Sequence, residues 1–378
     1  MNQKKIAVVL VASLFAAAFA LTPKLRAATN DTLRWHDARG LTVEGKGWND
    51  TKSFFDRLPE RAEKIVRPAV WSLSHDSAGI AVRFVSDATA ISVRWKLRKE
   101  SLAMSHMAAS GVSGVDLYVR ENSKGKTHNS KLGWRWLGTG RPDKVEMEKT
   151  LVSGLTAQSR EYMLYLPLYN GVESVEIGVP KKAACAAAPS RVEKMKPLVF
   201  YGTSILQGGC AARPGMAYPS IIGRHLDWPA INLGFSGNGW CEPEMAQLLS
   251  ELDPSIYVLD PLPNIASENV EPRVEPFVKI LREKNPKTPI VLVENVEFPD
   301  GLFVASRHDR FAKSNAGLRR VFDRLRQGGD KNLFYVSAEK LLGTDGEGTV
   351  DGTHPTDLGF LRMADAIEPV LKSKLPKR

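Results

Sequence analysis

Cysteine is scarce in this chain: Cys185, Cys210 and Cys241 are the three among 378 residues. So few thiols exclude a small disulfide-stapled scaffold. One pair with one thiol left over is the most the count allows, and spacing alone assigns no pairing. Internal repeats and low-complexity tracts are missing, which excludes solenoids and compositionally disordered chains. The net charge is +10, yet the basic residues are scattered and do not interleave with aromatics. Nucleic acid is therefore not an expected partner. Neither zinc-ligand spacing nor a phosphate-cradling lysine loop occurs, and no metal or organic cofactor is implied.

Long apolar runs are also missing, with one exception. Lys4 and Lys5 precede a run from Ile6 to Leu21, and Ala18-Phe19-Ala20 fits a small-x-small cleavage pattern, with Ala27-Ala28 as a later alternative. The run is short for a membrane span, which takes about 20 residues. Residues 1–28 therefore read as a signal peptide, cleaved near 20 or 28. The mature protein is expected to be exported, periplasmic or extracellular, without stable membrane insertion.

The remaining composition is that of an ordinary globular protein, 43% hydrophobic and 25% charged. At this length two domains are expected. From Asp31 to Val179 short β-type segments follow one another: Ile80 to Val85, Ala90 to Trp95, Val115 to Val119, Trp134 to Leu137, Tyr162 to Leu166 and Val175 to Val179. Glycine and Asn/Asp/Ser clusters separate them, which points to an all-β sandwich or jelly roll over residues 29–180. Pro59 to Val66 is the one short helix expected there. Residues 181–196, with Lys181-Lys182 and an alanine-rich stretch, read as a linker.

From Pro197 the rhythm changes. Strand candidates Leu198 to Tyr201, Ala230 to Leu233, Ile256 to Leu259, Ile290 to Glu294 and Leu333 to Val336 alternate with helical segments, the last from Thr356 to Lys372. Such alternation implies a parallel sheet covered on both faces, with ligands bound beyond the carboxyl ends of its strands.

Four stretches fall at that end. Leu198 to Tyr201 runs into Gly202-Thr203-Ser204-Ile205, where a buried strand delivers a serine through a tight turn. Ser204 is either a nucleophile or the cap of an ordinary strand–turn–helix junction. The glycine loop around Gly237 follows the second strand, and Asn264 follows the third. Both can donate N–H groups to a developing negative charge; both residue types are also common in plain turns. Asp351-Gly352-Thr353-His354 precedes the last helix. A serine needs a neighbouring base, and a carboxylate three residues before a histidine can fold back to orient the imidazole. Cysteine is not a candidate nucleophile, since none of the three lies on the turn directly after a strand. Asp116 and Tyr118 are expected to be structural strand residues, and His106, Asp300, Arg307 and His308 loop residues near the site at most.

Taken together, these four blocks resemble those of the SGNH (GDSL-type) hydrolases. The resemblance implies a flavodoxin-like three-layer α/β/α domain over residues 197–378, with Ser204 as nucleophile, His354 as base and Asp351 as its orienter. It further implies an oxyanion hole made of the Ser204 and Gly237 N–H groups and the Asn264 side chain. Two residues depart from the family pattern: Thr203 stands where Asp is usual, and Asn264 follows Pro263 where Gly-x-Asn-Asp is usual. Both departures, with Gly114-Val115-Asp116-Leu117-Tyr118, Arg213-Pro214-Gly215-Met216-Ala217-Tyr218 and Asp260-Pro261-Leu262-Pro263-Asn264, resemble a subgroup that carries a Gly-x-Asp-Leu-Tyr β-sandwich domain at its N-terminus. If the two loops build one oxyanion hole, Cys210 and Cys241 are the candidate disulfide.

The function that this resemblance implies is a serine esterase acting on acyl esters, in particular O-acetyl groups of a small molecule or polysaccharide. A lipase, thioesterase or acyltransferase would use the same groups. A carbohydrate-binding protein with a degenerate hydrolase domain would show the same departures at Thr203 and Pro263 without turnover.

Overall fold

A computed structural model describes residues 32–120, 133–192 and 194–376. The run read as a signal peptide lies outside the described residues. Among the described residues, no helix is long and apolar enough to cross a membrane.

The first part of the chain folds as β1 (Leu33–Asp37), β2 (Thr42–Glu44), α1 (Pro68–Ser74), β3 (Ala81–Ser86), β4 (Ala90–Leu97), α2 (Ala109–Val112), β5 (Val115–Arg120), β6 (Trp134–Gly140), β7 (Glu146–Ser153), β8 (Arg160–Tyr165), β9 (Val172–Pro180) and β10 (Cys185–Ala187). Two antiparallel sheets result, in the orders β1-β9-β4-β7 and β10-β3-β8-β5-β6, with β2 also on β3. Strand alternation explains the packing. In β4, Ile91, Val93, Trp95 and Leu97 point inward and join Val82, Phe84, Leu117, Leu164 and Ile177 in the core between the sheets.

Three local expectations are corrected. The segment Pro59 to Val66 forms a 3-10 turn over Glu60–Lys64, and the regular helix α1 starts later, with Pro68 in its first turn. The stretch read as a linker contributes β10, which pairs with Phe84–Ser86 of β3. Strand β7 was hidden by its charge. Of its side chains only Met147 is fully buried. Glu146 and Glu148 instead form cross-strand pairs with Lys96 and Arg94 of β4.

The second part runs β11 (Leu198–Gly202), α3 (Ser204–Gln207), α4 (Tyr218–His225), β12 (Ala230–Gly234), α5 (Pro243–Ser250), β13 (Ile256–Asp260), α6 (Val270–Lys284), β14 (Ile290–Val293), α7 (Ala305–Gln327), β15 (Leu333–Val336) and α8 (Asp357–Lys372). The sheet is parallel, in the order β12-β11-β13-β14-β15. Both of its faces are covered, so β11 is buried at every position. Val199 and Tyr201 face the core under α5, α6 and α7, whereas Leu198 and Phe200 face the core under α4 and α8. The helices have the matching stripes: Phe360, Met363, Ala364, Ile367 and Leu371 are the buried face of α8.

The two parts meet through shared apolar clusters, in which Trp48, Leu58 and Val70 join Val199, Leu233 and Phe235, and through buried polar groups. On β5, Leu117 points into the sandwich core while Asp116 and Tyr118 point the other way, into the segment Arg213-Pro214-Gly215 of the second part. The Asp116 carboxylate accepts from Arg213 Nη1 at 2.6 Å, Gly215 N at 3.0 Å, Trp136 Nε1 at 3.0 Å and Thr139 Oγ1 at 2.9 Å. Arg57, 1% exposed, donates to Asp76 O, Leu73 O, Asn232 O and Gly234 O. Burial pushes its guanidinium down to about 10, so it stays charged at neutral pH.

At the carboxyl end of the sheet, Asp260 pairs in register with Gly202 and is 2% exposed. Burial pushes its carboxyl up to about 8, against the hydrogen bond that Tyr218 Oη donates to it at 3.0 Å. The folded protein therefore holds a proton there that the unfolded chain releases near 3.8.

Two expectations follow from these buried carboxyls. Asp116→Ala leaves Arg213, Gly215 N–H, Trp136 and Thr139 without their acceptor and is expected to cost about 3 kcal/mol in chemical denaturation, with Asp116→Asn costing less; an unchanged midpoint for the alanine variant would refute the seam. The extra proton on Asp260 makes its stabilisation complete below 3.8 and lost progressively as pH rises to about 8. Asp260→Asn is expected to flatten the fall in melting temperature over that range, and parallel pH profiles for the two proteins would rule the assignment out.

Candidate active site

The turn that carries Ser204 is built by close backbone contact. A Cβ on Gly202 would lie 2.3 Å from Asp260 O, so β11 and β13 approach there as only glycine permits. Thr203 then caps α3, its Oγ1 accepting from Ile205 N. The helix is a single turn, closed by Gly208 at φ 110°. The carbonyl of Ser204 accepts from Gly208 N at 3.0 Å, Gly209 N at 2.8 Å and Tyr169 Oη at 3.2 Å. The last donor comes from the loop between β8 and β9 of the sandwich.

The Ser204 hydroxyl lies 2.9 Å from His354 Nε2. On the other side of the ring, Nδ1 lies 2.7 Å from Asp351 Oδ2. Asp351 Oδ1 accepts from Thr353 N at 3.0 Å and His354 N at 2.8 Å, so one carboxylate folds the turn and orients the imidazole together. Burial raises the Asp351 carboxyl, but the hydrogen bonds from the His354 backbone and ring and from Thr353 N–H outweigh it and hold the group below its ordinary value. With an anion at Nδ1, that nitrogen carries the ring proton and Nε2 presents its lone pair to the serine. Ser204, His354 and Asp351 are thus brought together as one chain of hydrogen bonds.

The other two expected blocks lie on neighbouring strand ends. Gly202, Gly234 and Asp260 form a row in register, from which the Ser204 turn, the Gly237 loop and the Asn264 turn start side by side. Gly237 has φ 70°, a conformation open to glycine. Asn264 ends the 3-10 turn Leu262–Asn264, and its Oδ1 is buried without a hydrogen-bond partner.

Several arginines that hold these loops were not singled out from the sequence for that task. Arg67 of the sandwich part donates to Asn238 Oδ1 at 2.6 Å and Asn238 O at 3.0 Å, gripping the Gly237 loop. Arg310 of α7 donates to Pro263 O at 3.1 Å and Ile265 O at 2.8 Å on either side of Asn264. Arg307, expected as a loop residue, joins Asp300 to Gly352 O at 2.6 Å and Thr353 Oγ1 at 3.1 Å, bracing the histidine turn. Gln207 donates to Leu168 O and accepts from Ser236 N, linking α3 to both parts. No local sequence signal marks these residues, because each acts on a backbone far away in the chain.

His106 lies at the tip of the turn Met104–Met107, and its ring centroid is 5.8 Å from that of His354. His308 stays exposed and packs on Phe311. Cys210 and Cys241 remain unbridged, and Cys185 is free as well. The expected disulfide fails because the sheet separates its ends. Cys241 joins the core under α5–α7, whereas Cys210 follows α3, whose Ile205 and Leu206 pack on the opposite face.

Comparison with known proteins agrees with this architecture. The profile of the GDSL-like lipase/acylhydrolase family matches residues 195–372, and that of the GxDLY N-terminus of SGNH-hydrolase-type esterases matches residues 33–185. A Bacteroides ovatus protein described as a GDSL-like lipase is 33% identical, with 90% of this chain and 98% of that chain covered and a TM-score of 0.83. A salicylyl-acyltransferase from a tetracycline biosynthetic pathway has the same fold at 20% identity, covering 92% and 99% of the two chains with a TM-score of 0.68. So does a family two carbohydrate esterase from Clostridium thermocellum in complex with cellohexaose, at 17% identity, covering 79% and 93% with a TM-score of 0.56. No curated protein matches. With its sandwich, its parallel sheet and a one-third-identical relative matched over nearly its whole length, the chain belongs to the GDSL-like, SGNH-type esterase family with a GxDLY N-terminal domain.

Proposed function

We propose that the protein is a serine esterase that removes acyl groups, specifically O-acetyl groups, from carbohydrate. The observation that carries the reading is the continuous relay from Ser204 Oγ through His354 to Asp351, at 2.9 and 2.7 Å. In this mechanism His354 Nε2 takes the serine proton as Oγ attacks the ester carbonyl. Asp351 stabilises the imidazolium that forms. The Ser204 and Gly237 N–H groups and the Asn264 amide hold the oxyanion, each donor contributing about 3 kcal/mol to the transition state. His354 then returns the proton to the leaving alcohol and activates the water that releases the acid. The chemistry calls on no cofactor.

The carbohydrate part of the reading is supported by the fold. The fold is that of a carbohydrate esterase seen with cellohexaose. Beside Ser204 and His354 the two parts place His106 and Cys210, and Tyr169 Oη holds the Ser204 carbonyl. The N-terminal run Ile6 to Leu21 fits an exported enzyme, periplasmic or extracellular, that meets polysaccharide outside the cytoplasm. We assign residues 29–187, β10 included, to the sandwich domain, 188–196 to the connection and 197–378 to the hydrolase domain.

Kinetics on an acetyl ester and on acetylated polysaccharide test this reading. Ser204→Ala is expected to lower kcat by about 10⁴-fold or more with the fold intact. Asp351→Asn is expected to lower it by about 10³–10⁴-fold through loss of the correct ring tautomer. Undiminished turnover by the serine variant would overturn the mechanism. Glycan binding with no ester turnover by the unmutated protein would favour a binding protein instead.

A further inference from the structure

His106, Cys210 and His354 lie far apart in the chain and give no metal-binding spacing. The fold nevertheless gathers them at one point. Each offers one ligand atom, and the three atoms lie within 4.8 Å of one another. Three independent elements deliver them. His106 is at the tip of a tight turn closed by the reciprocal backbone bonds Met104 N to Met107 O at 3.0 Å and Met107 N to Met104 O at 3.1 Å. Cys210 is buried, on backbone held at φ 73° just beyond α3. His354 is fixed by Asp351.

The donor set is two imidazole nitrogens and one thiol sulfur, which suits a borderline-soft divalent cation such as zinc and not magnesium or calcium. Ligand atoms around tetrahedral zinc lie about 3.5 Å apart, given bonds of about 2.0–2.3 Å. The gap to be closed is therefore on the order of 1 Å, and His106 is exposed and free of the core. The histidine already has the form a metal requires. Asp351 holds the proton on Nδ1, so Nε2 carries the lone pair, the carboxylate–histidine arrangement found behind metal-bound imidazoles.

We propose that His106, Cys210 and His354 form a zinc site that shuts the enzyme. Zinc binds the Nε2 lone pair of His354, one ring nitrogen of His106 and the Cys210 sulfur, whose thiol proton leaves to solvent. The lone pair that accepts the Ser204 proton is then engaged, and hydrolysis stops. The site consists of one ligand from the sandwich part and two from the hydrolase part, so it exists only in the assembled protein. Its inhibitory consequence rests on the esterase reading; the binding itself does not.

Two measurements on the full mature chain separate these levels. In the first, zinc chloride is titrated into chelator-stripped enzyme during hydrolysis of an acetyl ester. Complete inhibition, reversed by EDTA, is expected. Cys210→Ser and His106→Ala, each normalised to its own metal-free rate, are expected to need about 10–100-fold more zinc for half-inhibition. Zinc that leaves the rate unchanged, raises it, or inhibits the variants as strongly as the parent overturns the proposal. In the second, cobalt(II) is added to Ser204→Ala, which keeps all three ligands. A thiolate-to-cobalt charge-transfer absorption is expected, and is expected to vanish in Ser204→Ala/Cys210→Ser. Its absence from Ser204→Ala overturns the site whether or not the parent hydrolyses esters. The absorption in a protein with no esterase activity would sustain the metal site and refute the esterase reading alone.

Discussion

A carboxylate removed from water must find its donors in the protein, and Asp116 finds two in each half of the molecule. Trp136 and Thr139 belong to the sandwich, Arg213 and Gly215 to the segment beyond the nucleophile helix. Apolar faces can slide against one another with little loss, but a buried network is favourable only when every member is satisfied. Arg57 applies the same constraint from the opposite direction, a cation from the first half held by carbonyls of both. These two charges, with the apolar clusters that Trp48, Leu58 and Val70 share with the sheet, fix a single relation between the two parts, and the site depends on it. Tyr169, Arg67 and His106 reach the catalytic loops only in that relation.

The architecture was largely legible, for a local reason. Strand β4 alternates apolar and polar residues and β11 is continuously apolar, so half-burial and full burial were written into the two kinds of sheet. Strand β7 escaped because its outward face is paid in charge pairs and its inward face shows little more than Met147. Strand β10 escaped because three small residues carry no β signature, and their pairing is decided by β3.

At the site, Asp351 and His354 were readable since their geometry is closed within four residues. Ser204 was readable through its place after a buried strand. Arg67, Arg307 and Arg310 were not, because an arginine's reach spans distant backbone and leaves no spacing behind. His106 was visible as a loop histidine, but its position over His354 is decided by the docking of two domains. Asp116 and Tyr118 are structural, as a strand position implies, but the structure they serve is the seam, since they face the second part and not the sandwich core.

The hydroxyl of Tyr169 on the Ser204 carbonyl makes the two parts inseparable at one backbone atom. An appended module can drift, be exchanged or be lost while the enzyme beside it survives. Here a residue of the module is part of the scaffold that holds the Ser204 turn, so the sandwich cannot be exchanged without disturbing the backbone at the end of β11.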